Sequence, residues 1–222
     1  KGKLLVLYGD VPLIQKETLI NLINSCEDGL SILTTVLNEP YGYGRVKKDE
    51  NGNALSIVEE RDATQDEKEI KEIFTGVLCA NAEDLKKGLS EIGNDNAAGE
   101  FYLTDIVSIM ANKGIKINTH IASNNEVKGA NSKEELAQLE AIYRSMKVKD
   151  ILDMGITVSD PDRLDIRGQV EAGKDCSIDV NVIIYGDVKL GDNVSIGPNC
   201  IIKDTLIESD TNASINNNLN TN

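Results

Sequence analysis

The sequence predicts an α/β fold followed by a parallel β-helix. Three observations carry this: short apolar runs alternate with helical stretches from residue 1 to about 150, an Asn-Gly pair interrupts them, and from Leu164 an aliphatic residue or cysteine recurs every six positions. In the first region the spacing predicts strands at 4–8, 31–37, 54–59, 73–79 and 115–121, and helices at 16–25, 66–72, 81–91, 102–113 and 133–150. Strands interleaved with helices of this length point to a mainly parallel sheet covered on both faces. "DENGNA" at 49–54 inserts an antiparallel ribbon, because Asn-Gly accepts the positive φ of a tight hairpin turn.

The six-residue pattern has two registers. One runs Leu164, Val170, Cys176, Val182, Val188, Val194, Cys200 and Leu206; the other runs Ile166, Ala172, Ile178, Ile184, Leu190, Ile196 and Ile202. Such a period fits neither a helix nor a lone strand, but it fits three short strands per coil with a turn after each. Gly173, Gly186, Gly191 and Gly197, beside Asn and Asp, are predicted to supply turn positions that tolerate positive φ. The pattern decays at Thr211, and "INNNLNTN" at 215–222 is a polar tail unsuited to capping a coil. A β-helix this short is expected to be cut short or covered by a partner, since its open end is an unpaired edge.

Composition bounds the function. The 222 residues can bury a sizeable core, and no apolar stretch reaches the roughly 18 residues needed to span a bilayer. No secretory signal is legible, so a cytoplasmic protein without membrane insertion is expected. A net charge of −14, spread along the chain, argues against nucleic acid as a partner, and phosphorylated substrates would require a mediating cation. Cys26, Cys79, Cys176 and Cys200 lie far apart without a CxxC pair and read as buried thiols. The single histidine, His120, sits in an alternating strand and reads as structural, which leaves no histidine for general-base catalysis.

Chemistry enters at "LLVLYGDVPLI" (4–14), an apolar strand that runs into Gly9, Asp10 and Pro12. In an open α/β sheet, ligands collect at the carboxyl ends of strands, so Asp10 is either a ligand-facing carboxylate or a turn residue. "PYGYGRV" (40–46) is either a ligand-contacting loop or a plain turn, and of the adjacent Glu59 and Glu60 one is expected to face inward. Gly76, inside a core strand, marks a close backbone approach or a bulge. Asn131 precedes a helix for which Ser132 and Glu135 have capping-box spacing.

The segments "LYGDVPLI", "YGYGRV", "IVEERDAT", "EIFTGVL", "NAAGEFYLTDIV", "GANSKEELAQLE", "DPDRLDIRG" and "NVIIYGDVKLGDNVSIGPNCIIKD" cover nearly the whole chain. In this order they resemble the bacterial bifunctional N-acetylglucosamine-1-phosphate uridyltransferase/glucosamine-1-phosphate acetyltransferases, the GlmU family. The resemblance implies an incomplete Rossmann-like nucleotidyltransferase followed by the start of a left-handed parallel β-helix of hexapeptide repeats. The domains would be 1–132, the later part of the uridyltransferase domain; 133–163, a linker helix and connection; 164–210, the β-helix; and 211–222, a polar tail. It implies that Asp10 and Asn131 hold a catalytic Mg2+, that Tyr8 and Gly9 join them in the nucleotide-sugar site, and that Gly44 and Glu59 bind the N-acetylglucosamine moiety. Phe74 stands where the family commonly has Asn, offering a ring that stacks on the sugar face in place of an amide.

The implied reaction is attack by N-acetylglucosamine 1-phosphate on the α-phosphorus of UTP. It yields UDP-N-acetylglucosamine, a precursor of peptidoglycan and lipopolysaccharide, and needs no catalytic side chain beyond the metal ligands. By the same resemblance, the Gly-rich nucleotide loop would precede residue 1, and the acetyl-CoA-dependent acetyltransferase site would follow residue 222. The chain alone is then expected to be inactive in acetyl transfer and impaired in uridyl transfer, while the full-length protein would be a homotrimer built on its β-helix. Two other readings stand beside this one: a nucleotidyltransferase making ADP-glucose or a dTDP-sugar, and a non-catalytic trimeric scaffold.

Overall fold

The computed structural model describes residues 2–26 and 29–214, so the Asn-rich stretch 215–222 lies outside the described residues. The chain divides into two compact units, residues 1–132 and 133–222.

The first unit runs β1 (Lys3–Val6), α1 (Lys16–Ser25), β2 (Leu30–Val36), β3 (Arg45–Lys48), β4 (Ala54–Val58), α2 (Gln65–Lys68), β5 (Glu72–Asn81), α3 (Ala82–Leu89), α4 (Asp105–Asn112) and β6 (Ile117–Ile121). Its sheet has the order β4-β3-β5-β2-β6, with β1 also on β5. Alternation along the strands sends side chains to two cores. Ile32, Leu78 and Ala80 pack with Leu85, Ile106 and Met110 on one face, while Leu33, Val77 and Cys79 pack with Leu22 of α1 on the other. Both faces are covered, as the pattern predicts.

The sheet is mixed, not mainly parallel. Only β2 and β6 run parallel; β1, β2 and β3 each meet β5 antiparallel, and β3 and β4 form the predicted hairpin. The hairpin is the reason, because it reverses the chain's sense before β5, so this ten-residue strand enters against its neighbours. The helix predicted at 66–72 shrinks to the single turn α2. A reciprocal capping box between Thr64 and Glu67 starts it, and pairing of Glu72 with Val36 draws the following residues into the sheet.

The second unit begins with α5 (Lys133–Asp153) and continues through β7 (Thr157–Val158), a 3-10 turn at Pro161–Arg163, β8 (Leu164–Ala172), β9 (Ser177–Ile178), β10 (Val182–Leu190), β11 (Ser195–Ile196), β12 (Ile201–Ile207) and β13 (Asn212–Ala213). All its strand pairs are parallel, β8-β10-β12 along one strip and β7-β9-β11-β13 along another. This is the coiled stacking of a parallel β-helix. Val170, Cys176, Val182, Val188, Val194 and Cys200, with Ile166, Ile178, Ile184 and Ile196, fill its core as the six-residue registers require.

Two details differ from the sequence pattern. Leu206 is 66% exposed although the first register places it inside. The last coil is one residue short: Asp204 alone faces Gly186 and Asp187, so Thr205 pairs with Val188 and Leu206 with the outward Lys189. The turns also use different residues. Of the four predicted glycines only Gly186 has positive φ; the other left-handed corners are Asp175, Asn181, Asn193, Asn199, Asp204 and Asp210. Gly173 and Gly191 are small because the next coil passes over them, and a Cβ would stand 2.2 Å from Asp192 and 2.5 Å from Ser209.

Candidate active site

The site grows from one edge of β5. Strand β3 pairs with this edge at Ile73 and β1 pairs with it at Leu78–Asn81, leaving a gap at Thr75–Val77. Gly76 fills that gap with φ +85°, and a Cβ there would lie 2.1 Å from Cε2 of Tyr8. The glycine is thus both the irregularity and the close approach that the sequence left open, since the β2–β5 register also slips between Ile32 and Thr34. Strand β1 stops at Val6, two residues before its predicted end, which frees Tyr8 to turn its ring onto Gly76.

Past Tyr8 the chain opens out. A Cβ on Gly9 would meet nothing within 4 Å, and Asp10 is exposed. Buried Val11 and Leu13 anchor the segment that leads to α1. The carbonyl of Asp10 accepts the amide of Ala130 at 3.0 Å, and a Cβ on Gly129 would stand 3.6 Å from Oδ2 of Asp10. The loop ending in Asn131 is therefore laid on the Asp10 turn, about 120 residues away in sequence. Tyr8, Gly9, Asp10 and Asn131 belong to one locality.

Gly44 and Glu59 form a second locality on the same strand edge. The amide of Phe74 donates to the Gly44 carbonyl at 2.9 Å, and Phe74 is two residues from Gly76, about 7 Å along the strand. A Cβ on Gly44 would lie 2.7 Å from the Ile57 side chain, which excludes it, and in ordinary contact with Oε1 of Glu59 at 3.4 Å, so the glycine lets the loop pack on Ile57 beside the carboxylate. Oε1 of Glu59 also accepts from the Thr104 hydroxyl at 2.7 Å. Beside it opens a cavity of about 440 Å³ lined by Tyr41, Gly42, Glu59, Glu60, Arg61, Glu100 and Tyr102, large enough for a monosaccharide. Burial and the Asp62, Glu100 and Glu59 carboxylates push the Tyr102 hydroxyl above the usual tyrosine range.

Phe74 does not present its ring to this cavity. It is 6% exposed and packs with Val46, Ile57 and Leu78, because its β5 position alternates onto the core face. The sugar-stacking role read from sequence is corrected: at this position only the main chain reaches the loop.

Three features escaped the sequence reading. Arg45, 2% exposed, pairs with Glu60 at 2.6 Å and donates to the Tyr43 carbonyl, while Glu60 accepts from the Gly42 amide. The Arg45 guanidinium, chiefly through its hydrogen bond, holds the Glu60 carboxyl below the usual carboxylate range. This buried brace shapes the Tyr41–Gly44 loop; a charged Arg just after Gly-Tyr-Gly was its only signal. Thr104 and Tyr102 were visible only as letters of a longer motif. His120 is structural, as read, with Nε2 2.6 Å from the Ser25 hydroxyl, and all four cysteines are buried and free.

Among the described residues no group of three or more His, Cys, Asp or Glu side chains is arranged to hold a metal ion. The Asp10 turn carries a carboxylate, and the loop laid on it carries the side-chain amide of Asn131. Oxygen donors in that number fit a magnesium ion that takes its remaining ligands from water and substrate phosphates. No described helix is long and apolar enough to cross a membrane.

Comparison with known proteins places these observations. The model of the bacterial transferase hexapeptide (six repeats) family matches residues 173–204. A relative from Francisella philomiragia subsp. philomiragia named Bifunctional protein GlmU is 46% identical over 94% of this chain and 46% of its own length. Proteins of the same name from Methylococcus capsulatus and Neisseria meningitidis serogroup B are 48% and 43% identical, over 91% and 93% of this chain and 45% and 46% of theirs. The chain thus spans a little under half the length of these curated relatives. A solved nucleoside-diphosphate-sugar pyrophosphorylase from Vibrio cholerae aligns with 62% of this chain and 55% of its own, at 15% identity and a TM-score of 0.45.

Proposed function

Over the part of those relatives that it spans, the chain belongs to the GlmU family, and from that premise we propose that it carries the sugar-phosphate and metal-binding side of a uridyltransferase site. The reaction is attack by an oxygen of N-acetylglucosamine 1-phosphate on the α-phosphorus of UTP: a new P–O bond forms, the α–β bridging P–O bond breaks, and pyrophosphate leaves. Glu59 accepts hydrogen bonds from sugar hydroxyls at the rim of the acidic cavity, with its orientation held by Thr104. Tyr8, seated on Gly76, walls the nucleotide-sugar crevice. Asp10 and Asn131 would hold a magnesium ion, which would supply neutralisation of the phosphate charge. The protein's part is alignment and electrostatics, so a chain whose one histidine is committed to Ser25 suffices.

The observation that supports this reading best is the Ala130–Asp10 hydrogen bond, which lays the Asn131 loop against the only carboxylate of the Tyr-Gly-Asp turn. We further read the β-helix as the stem of a homotrimer in a bacterial cytoplasmic enzyme whose complete form also acetylates glucosamine 1-phosphate from acetyl-CoA. Calorimetric titration with UDP-N-acetylglucosamine and UDP-glucose tests the substrate, made in a chimera where these residues replace the matching stretch of the Neisseria meningitidis relative. Binding is expected only with Mg2+ and at least about tenfold tighter for the N-acetyl sugar, a difference of about 1.4 kcal/mol. Tighter binding of UDP-glucose would favour a related nucleotidyltransferase, and no binding of either would favour a scaffold.

A further inference from the structure

Helix α1 lacks a cap of its own. Its N-cap residue is Gln15, whose side chain makes no capping bond and donates instead to the Leu13 carbonyl at 2.8 Å. The acceptor at this helix head comes from more than a hundred residues away: Oε2 of Glu126 takes the Thr18 hydroxyl at 2.5 Å and the Gln15 amide at 3.4 Å. Its other oxygen takes the Ser123 hydroxyl at 3.0 Å. A carboxylate there is favoured by both charge-assisted hydrogen bonding and the helix dipole.

Glu126 lies midway along the loop that leaves β6 and ends at Asn131. Its start is pinned to β2, because Ala122 donates to the Thr34 carbonyl at 2.8 Å and Asn124 accepts from the Thr35 hydroxyl at 2.6 Å. Its far end rests on Asp10 through the Ala130 amide. Glu126 supplies the middle attachment, and it attaches to the helix that directly continues the Asp10 turn. The loop bearing Asn131 and the turn bearing Asp10 are therefore joined twice, once by main chain at Ala130 and once by this side chain.

We infer that Glu126 is a positioning residue for the Asp10–Asn131 pair: by capping α1 from the opposite loop it fixes the separation of the two oxygen donors. The inference rests on the metal reading proposed above, but the attachment itself is independent of it. A carboxylate bonded to a neighbouring helix in this way acts on ligand placement as outer-shell partners do, whose loss lowers metal affinity about 10- to 100-fold.

The test is the affinity for Mn2+ in the presence of saturating UDP-N-acetylglucosamine, measured by water-proton relaxation, together with amide exchange at Ala130 in the metal-free protein. Glu126→Ala is expected to weaken Mn2+ binding about tenfold and to speed Ala130 exchange by a similar factor. Glu126→Gln keeps an acceptor and should recover most of both, which a loss of bulk stability would not explain. Asp10→Ala serves as the reference. If it weakens Mn2+ binding and Glu126→Ala does not, the positioning role is wrong. If Asp10→Ala changes nothing, the metal reading fails, and Ala130 exchange alone decides whether Glu126 holds the loop; unchanged exchange overturns it.

Discussion

Asp10→Ala is expected to lower uridyl transfer by at least about a thousandfold while leaving the fold intact. The assay is made in a chimera where these residues replace the matching stretch of the Neisseria meningitidis relative. Asp10 is exposed, and it holds the Ala130 amide through its main-chain carbonyl, which alanine keeps. Removal of its side chain therefore leaves no buried group unpaired, and the melting temperature should move little. What is lost is the exposed carboxylate of the turn that the Asn131 loop rests on, and with it the proposed means of neutralising the phosphates. The defect should appear in kcat more than in KM for the sugar phosphate, because Glu59 and the cavity are untouched. Wild-type turnover in Asp10→Ala, with Mg2+ still required, would place the metal elsewhere.

Gly76→Val is expected to destabilise the first unit by about 3 kcal/mol and to abolish nucleotide-sugar binding. Two costs add. A β-branched residue at φ +85° is strained by about 1–2 kcal/mol, and its Cβ would clash with the edge of the Tyr8 ring, 2.1 Å from Cε2, so the ring must leave at a further 1–3 kcal/mol. Denaturant unfolding measures the sum. The double variant Gly76→Val/Tyr8→Ala separates the parts: it should recover roughly half of the lost stability, the steric share, and none of the binding. Additive single-variant effects would show that Tyr8 does not rest on Gly76 in solution.

What was legible in the sequence follows from how local each signal is. The inward registers of the β-helix were readable residue by residue because every coil repeats the same positions, and they failed at Leu206, where a coil one residue short at Asp204 shifts the phase without altering the hydrophobicity of the letters; the coils also reach beyond the expected 164–210, to Thr157–Val158 and Asn212–Ala213. Its corners were misassigned to glycine because Asn and Asp also tolerate the left-handed region, whereas Gly173 and Gly191 answer to crowding by a later coil. The direction of β5 was not legible. Periodicity reports which face is buried, not which way a strand runs, and a hairpin turned the expected parallel sheet into a mixed one.

The site shows the same division. Asp10 could be singled out because a carboxylate after an apolar run and a glycine is local information. Glu126 could not, since a glutamate in a polar loop reads as solvated until Thr18 and Gln15 are seen opposite it. Arg45 looked like an ordinary strand charge, yet it is nearly fully buried against Glu60. Phe74 was read as a sugar contact by position in a motif, and strand alternation instead puts its ring in the core.

The account depends on Asp10 and Asn131 sharing one cation, and the anomalous scattering of Mn2+ in crystals grown with UDP-N-acetylglucosamine tests this most directly. The predicted result is a single peak within about 2.3 Å of a carboxylate oxygen of Asp10 and of the side-chain oxygen of Asn131, with phosphate oxygens completing the shell. A peak among Glu59, Glu60 and Glu100 instead, or one on Asp10 with Asn131 turned away, would contradict it.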